Sequence, residues 1–267
     1  MNDVLGGCLG LTLASDAGGA GDPGAETSLR AVRFPRRFSY VNVDTSSPGG
    51  IRRARDLGLV ESGLADVVVS TLLHDALSLF GPSPPGGGGG GGAGGEGSPE
   101  ARGRMFALFR DPIERAVSLF HFVQDTHWRE AGGPMATVAI EEYYRGGQVE
   151  NNWMVRFLTD QPTKGELDAD DLDLAKEVLR RKCLVGLLGE KGESFARFER
   201  YFGWELGSDE DRECHEKKVQ WAWPLKHKHD EVEEGTELYD LILGHNLLDV
   251  RLYEYARVLF EEQRRMF

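Results

Sequence analysis

The segment that most constrains the fold is Met105–Phe122, MFALFRDPIERAVSLFHF. Its first five residues are all apolar, which is typical of a strand buried on both faces of a sheet. Asp111, Pro112 and Glu114 then take the N-cap, first and third helical positions, and together they predict the start of a helix. A strand that turns directly into a helix is the repeating unit of α/β folds with parallel strands. This segment therefore favours an α/β fold.

The predicted helix has one apolar stripe and a separate polar side. The stripe has the spacing of a face packed on a core, and it consists of Ile113, Ala116, Val117 and Phe120. Arg115 and Ser118 are three residues apart and share a different face. Arg110 ends the strand, at the edge where open α/β sheets bind ligands. A guanidinium there can hold a phosphate through two parallel hydrogen bonds. The alternative is a plain strand–turn–helix in which Arg110 pairs with Asp111 or Glu114.

The pattern R-D-P-x-x-R-x-x-S at Arg110–Ser118 resembles the 3′-phosphate-binding motif of sulfotransferases. The likeness is to the membrane-bound carbohydrate group that includes the heparan sulfate 2-O-sulfotransferases. Further stretches between about residue 40 and residue 265, outside the glycine tract, are similar to such proteins. They are YVNVDTSSPGGIRRARDLGL, ADVVVSTLLHDALSLF, ENNWMVRFLT, LRRKCLVGLLGEKGESFARFERYFGW and LLDVRLYEYARVLFEEQ.

The resemblance implies a PAPS-dependent sulfotransferase, PAPS being 3′-phosphoadenosine 5′-phosphosulfate. Such an enzyme transfers a sulfuryl group from PAPS to a carbohydrate hydroxyl. In this chain Arg110 and Ser118 would contact the 3′-phosphate of the donor. The implied fold is α/β, a P-loop-NTPase-like three-layer sandwich with a central parallel sheet and a helix-rich C-terminal half. The implied location is the Golgi lumen, although the sequence shows no signal peptide or anchor.

One expected element of the family is missing from the 267 residues. The family carries a loop of the form P-K-[ST]-G-[GT]-T-[ST], whose backbone amides and lysine hold the sulfate-bearing end of the donor. No segment here has that form, and Asp3–Ala14 looks like the helix that would follow it. The chain is therefore expected to begin just after the donor loop. The alternative function is a degenerate or truncated sulfotransferase-like protein that binds without catalysis.

Sulfuryl transfer needs a base that takes the proton of the acceptor hydroxyl. His74 is the candidate, because it follows the predicted strand Ala65–Ser70 by one helical turn. A rough alignment with the resembled family places Thr71 where that family has its histidine, and His74 would otherwise only cap or decorate a helix.

Asn152 and Arg156 are the candidate acceptor-binding residues. They are four apart on a predicted helix and so could face one cleft, and the resemblance places a comparable segment on the acceptor side. The alternative is a helix whose apolar face is core and whose arginine forms a salt bridge.

Composition limits the partners of the protein. A net charge of −13 and a pI near 5.1 argue against a general nucleic-acid binder. No stretch reaches about 18 consecutive apolar residues, so no membrane span is predicted. The three cysteines, Cys8, Cys183 and Cys214, match no metal motif, and we expect no metal cofactor. They leave open either one disulfide with a free thiol or three reduced thiols.

The whole chain, 1–267, is predicted to be one domain with a disordered Gly/Pro-rich insertion at 81–100. Strands are predicted at 38–43, 65–70, 105–109 and 183–188, and their alternation with helices predicts a parallel sheet covered on both faces. Helices are predicted at 2–14, 51–59, 138–144, 152–158, 168–182, 193–202, 237–243 and 249–265.

Overall fold

The computed structural model of the protein describes residues 1–16, 26–33, 38–80, 103–124, 138–147, 149–220 and 232–267. The predicted insertion at 81–100 lies outside these residues. The chain forms two compact units, one made of Met1–Arg104 and Trp204–Lys218, the other of Met105–Gly203 and Val219–Phe267. The fold is mixed α/β with parallel strand pairs and a helix-rich C-terminal half, as expected at this coarse level.

The strands are β1 Thr12–Ser15, β2 Ala31–Arg33, β3 Ser39–Asp44, β4 Val67–Val68, β5 Met105–Phe109 and β6 Cys183–Leu187. After an initial π-helix at Asp3–Cys8, the helices are α1 Pro48–Asp56, α2 Leu59–Ser62, α3 Leu73–Leu77, α4 Pro112–Val123, α5 Ile140–Arg145, α6 Trp153–Thr159, α7 Ala169–Lys182, α8 Lys191–Phe202, α9 Asp209–Gln220 and α10 Glu237–Gln263. Short 3₁₀ turns occupy Ser78–Phe80 and Arg264–Met266.

The sheet of the first unit has the strand order β2-β3-β1-β4. Strand β1 pairs in parallel with both β3 and β4, and β2 is antiparallel to β3. The prediction of one helix over residues 2–14 was therefore wrong in its second half. The helical segment stops at Cys8, and Gly10 takes a left-handed conformation with φ of +68°. The following TLAS segment gains strand partners on both sides, and Leu13 and Ala14 become fully buried. Such pairing is not visible in the local pattern.

Other elements of the first unit were predicted more closely. Strand β3 lies within one residue of its predicted bounds. Helix α1 begins three residues earlier than predicted, because Pro48 can occupy its first position once Ser47 accepts a hydrogen bond from the Gly50 amide at 3.1 Å. Strand β4 is shorter than predicted and pairs with β1 over two residues only.

The second unit contains a two-stranded parallel sheet. Strand β5 has the predicted bounds and pairs with β6 from Met105↔Cys183 to Phe109↔Leu187. Strand β6 is buried throughout, whereas β5 is half-buried except at Phe109. The expectation that β5 is buried on both faces was thus wrong, although its strand character was correct.

Helix α10 runs through the gap between the two helices predicted at 237–243 and 249–265. Asn246 interrupts it with non-helical angles, φ −126° and ψ 22°. At such a kink the amides that follow lose their helical acceptors and need others. The kink therefore creates a second helix start inside one long element.

Helix α9 was not predicted, and a disulfide between Cys8 and Cys214 joins it to the N-terminal π-helix. Cys183 is a free, buried cysteine, and burial raises the pKa of its thiol to about 12. This thiol is protonated at neutral pH, so it is a poor nucleophile. None of the helices in the described ranges is long and apolar enough to cross a membrane.

Candidate functional site

The turn from β5 to α4 is built around Asp111. Its Oδ1 accepts hydrogen bonds from the amides of Ile113 at 2.9 Å and Glu114 at 3.1 Å, and Pro112 occupies the first helical position. The predicted helix start is confirmed. Because Asp111 already satisfies the free amides at this end of α4, an anion bound here would have to use side chains rather than the helix terminus.

Arg110 lies at the carboxyl end of β5 and pairs with Glu114. Its Nε is 3.3 Å from Glu114 Oε2, and the side chains of Arg110 and Glu114 are 21% and 61% exposed. This is the pairing that we named as the alternative to phosphate binding. An ion pair with so exposed a carboxylate is worth about 0–1 kcal/mol. A phosphate with two negative charges and several acceptor oxygens can therefore compete for the same guanidinium.

Ser118 lies one turn after Glu114 on the same side of α4. Its side chain is half-buried, and its hydroxyl has no hydrogen-bond partner among the residues that the structure describes. The bond between Arg110 and Glu114 thus directs the guanidinium along the side of α4 that carries Ser118. The structure therefore places Ser118 one helical turn beyond the carboxylate that pairs with Arg110.

Arg115, the second arginine of the motif, has very different surroundings. Its Nη2 is 2.5 Å from Glu150 Oε1, and its guanidinium carbon is 4.5 Å from the centre of the Trp153 ring. The Trp153 ring in turn stacks on Phe157 at 5.0 Å with an interplanar angle of 17°. Sequence reasoning placed Arg115 beside Ser118 but did not detect these partners.

Asn152 and Asp249 cap each other's helices. Asn152 Oδ1 accepts from the amides of Leu248 at 2.9 Å and Asp249 at 3.2 Å, just after the kink of α10. The Asp249 carboxylate accepts from the amides of Met154 and Val155 in the first turn of α6, each at 2.9 Å. Asn152 itself has a left-handed φ of +43°, which asparagine tolerates better than most residues. Asn152 was predicted to bind the acceptor, but its side-chain oxygen is already used to cap the part of α10 that follows the kink.

Asp249 is 1% exposed, and sequence reasoning missed it. Burial raises the pKa of its carboxyl to about 6, while the Met154 and Val155 amides and the charge of Arg115 act in the opposite direction. The signal that could have identified Asp249 is that an acidic residue occupies a position on the apolar face of α10. Its partners on α6 could not have been identified in the same way, because they lie about a hundred residues away along the chain.

Arg156 is surrounded by oxygen acceptors. Its guanidinium donates to the backbone and side-chain oxygens of Asn151 and to the carbonyls of Gln161, Lys164 and Gly165, at 2.5–3.2 Å. No acid takes part among these bonds, so the alternative of a salt bridge is replaced by carbonyl binding. The arrangement fixes the loop between α6 and α7, and it leaves acceptor binding by Arg156 a prediction.

No family model, no curated protein and no solved structure matches this chain. The case for its function therefore depends on the geometry described above and on the motif of α4.

His74 lies in the first turn of α3, shortly after β4, and is half-buried. It belongs to the first unit, whereas Arg110, Ser118, Asn152 and Arg156 belong to the second. Thr71, the aligned alternative, is exposed just before α3. The role of His74 as the base stays a prediction.

Within the parts of the chain described here, no three His, Cys, Asp or Glu side chains are grouped to hold a metal ion. At the turn from β5 to α4 the site offers the guanidinium of Arg110 and, on α4, the hydroxyl of Ser118. Both groups donate hydrogen bonds, and one carries a positive charge, so the site suits an anion with several oxygens.

Proposed function

We propose that this chain is a PAPS-dependent sulfotransferase-like protein that transfers a sulfuryl group from PAPS to a carbohydrate hydroxyl. Arg110 and Ser118 would hold the 3′-phosphate of the donor. The observation that supports this most directly concerns the partners of the Arg110 and Ser118 side chains. Arg110 has an exposed, exchangeable partner, and Ser118 has a hydroxyl with no partner within the described chain.

The physical basis of the proposal is that a phosphate can replace Glu114 as the partner of Arg110. A 3′-phosphate carries close to two negative charges near neutral pH, and Arg binds it through two parallel hydrogen bonds. Glu114 offers one contact at 3.3 Å. Binding would therefore replace a weak surface ion pair by a stronger, bidentate one, with Ser118 supplying a third hydrogen bond.

Further parts of the proposal concern the fold and the remaining residues. The fold would be a P-loop-NTPase-like three-layer sandwich over one domain, and His74 would take the proton of the acceptor hydroxyl. Asn152 and Arg156 would lie on the acceptor side, although their present hydrogen bonds support a role in capping and in fixing a loop. The location would be the Golgi lumen.

A second candidate function is a sulfotransferase-like protein that binds a nucleotide or glycan without turnover. Two sequence facts favour it. No P-K-[ST]-G-[GT]-T-[ST] segment occurs in the 267 residues, and the net charge of −13 opposes a strongly anionic glycan acceptor. The two candidates share the 3′-phosphate site and differ in whether the sulfate-bearing end of the donor is held.

Isothermal titration with 3′-phosphoadenosine 5′-phosphate tests the shared site. We expect micromolar binding that Arg110→Ala weakens by at least about tenfold, the value of one charge-assisted hydrogen bond. Glu114→Gln should strengthen binding, because it removes the carboxylate that competes for Arg110. Arg52→Ala, which removes an exposed arginine from α1, is the matched control and should change nothing.

Adenosine 5′-monophosphate, which lacks the 3′-phosphate, should bind the wild type much more weakly. Equal affinity for the two nucleotides would overturn the proposed site. A turnover assay with PAPS and a carbohydrate acceptor then separates the candidates, since nucleotide binding without sulfate transfer favours the non-catalytic protein.

A further inference from the structure

Arg110 lies just before α4 and Arg115 lies within it, and their partners differ. Arg110, which lies between β5 and α4, contacts a carboxylate in the first turn of α4, only four residues along the chain, whereas Arg115 contacts Glu150 and Trp153, which lie just before and at the start of α6. A contact between residues four apart at the start of a helix does little to fix that helix against other helices. A contact between helices does fix it, because moving either helix breaks that contact.

The start of α6 is itself fixed. The carboxylate of Asp249 on α10 accepts from two amides in the first turn of α6, and Asn152 accepts from two amides of α10. Helix α4 also packs directly against α10. Arg115 therefore connects α4 to a junction whose other two helices are held by four hydrogen bonds.

The surroundings of Arg115 leave it poorly suited to bind a ligand. Its charge is balanced by Glu150 at 2.5 Å, a shorter contact than the 3.3 Å between Arg110 and Glu114. Its guanidinium also lies over the Trp153 ring, and such a cation–π contact adds to the stability of the pair. Withdrawing Arg115 toward a phosphate would lose both contacts.

We propose that Arg115 is a positioning residue, which holds α4 against the α6–α10 junction and so fixes the places of Arg110 and Ser118. This deepens the proposed function and rests on it. The motif then contains one arginine that binds the phosphate and one that positions the helix, and each role is assigned from the partner that the arginine has in the structure.

Two isosteric substitutions give opposite results under this proposal. Glu114→Gln frees Arg110, a ligand, and should tighten the binding of 3′-phosphoadenosine 5′-phosphate. Glu150→Gln releases Arg115 from α6 and should weaken binding by about threefold to tenfold, as Arg115→Ala should. If Arg115 were instead a phosphate ligand held back by Glu150, Glu150→Gln would tighten binding, and the proposal would be overturned.

The double variant Arg115→Ala/Glu150→Gln provides the internal control. Both substitutions break the same contact, so the double variant should bind the nucleotide no more weakly than either single variant. Fully additive losses of binding free energy would contradict the proposal. Arg115→Lys, which keeps the charge, should recover part of the affinity.

The affinity ratio between 3′-phosphoadenosine 5′-phosphate and adenosine 5′-monophosphate should fall in Arg115→Ala, whereas a purely structural role would lower thermal stability and leave the ratio unchanged.

Hydrogen exchange separates failure of this proposal from failure of the proposed function. If the wild type binds no nucleotide, the function fails, but Arg115→Ala and Glu150→Gln should still speed amide exchange in α4 while Glu114→Gln leaves it unchanged. Unchanged exchange in the first two variants would overturn the positioning role, whatever the protein binds.

Discussion

The polar groups around the two arginines of the motif differ in how fully they are satisfied. On the Arg110 side, the guanidinium has an exposed partner and the Ser118 hydroxyl has none among the described residues. On the Arg115 side, the pair with Glu150 leads to a junction where Asn152 and Asp249 each accept two backbone hydrogen bonds. The difference teaches that Arg110 can exchange its partner locally, whereas Arg115 cannot do so without losing a contact between two helices.

The free energies expected for exposed and for buried polar contacts support this difference between the two arginines. Exposed ion pairs contribute about 0–1 kcal/mol, whereas removing one partner of a buried polar group leaves the other unsatisfied and costs about 1–3 kcal/mol for each group. A ligand site must use groups of the first kind, because binding energy is lost when strong internal bonds have to be broken first. Groups of the second kind can instead hold a site in place.

The largest effect that would sharpen the comparison is expected for Asp249→Ala. It leaves two buried amides of α6 without acceptors and should lower the free energy of unfolding by about 4 kcal/mol. Urea denaturation measures this change. Asp240→Ala, at an exposed position of the same helix, is the control and should stay within about 0.5 kcal/mol. A loss below about 1 kcal/mol for Asp249→Ala would mean that water replaces the carboxylate.

Arg156→Ala should have the next largest effect. It removes the donors that hold the carbonyls of Gln161, Lys164 and Gly165, and about 3 kcal/mol of stability should be lost. Arg110→Ala is the matched comparison and should cost less than about 0.5 kcal/mol, since its partner is exposed. If Arg156→Ala kept full stability but lost acceptor-dependent turnover, the acceptor role of Arg156 would be supported instead.

The smallest effect is a pH dependence at the junction. The pKa of Asp249 is raised from 3.8 to about 6, mainly by burial, so the native protein binds this proton more tightly than the unfolded chain does. Its contribution to stability is complete below the unfolded pKa of 3.8 and is lost as the pH rises through about 6. About 2 kcal/mol of it is lost between about pH 4 and pH 6. Asp249→Asn should flatten the profile of unfolding free energy in this window, and an unchanged profile would rule out Asp249 as its source.

Local signals in the sequence predicted the β5–α4 unit well. An apolar run of strand length, followed by Asp111 and Pro112, was sufficient because strand character and helix capping depend on near neighbours. The same approach failed at Thr12–Ser15, where pairing with β3 and β4 decided the structure. It predicted a break at 244–248, around the kink at Asn246, but not the caps that accompany the kink, because these involve a distant helix.

The sequence by itself determined that Arg110 ends a strand, that α4 starts at a capped turn and that Ser118 and Arg115 share its polar side. Only the tertiary structure decided that Arg110 keeps an exchangeable partner while Arg115 is locked to Glu150 and Trp153. The physical reason is distance along the chain. Glu114 is only four residues from Arg110 along the chain, but Glu150 and Trp153 reach Arg115 only after α6 has been fixed on α10 by the paired caps of Asn152 and Asp249.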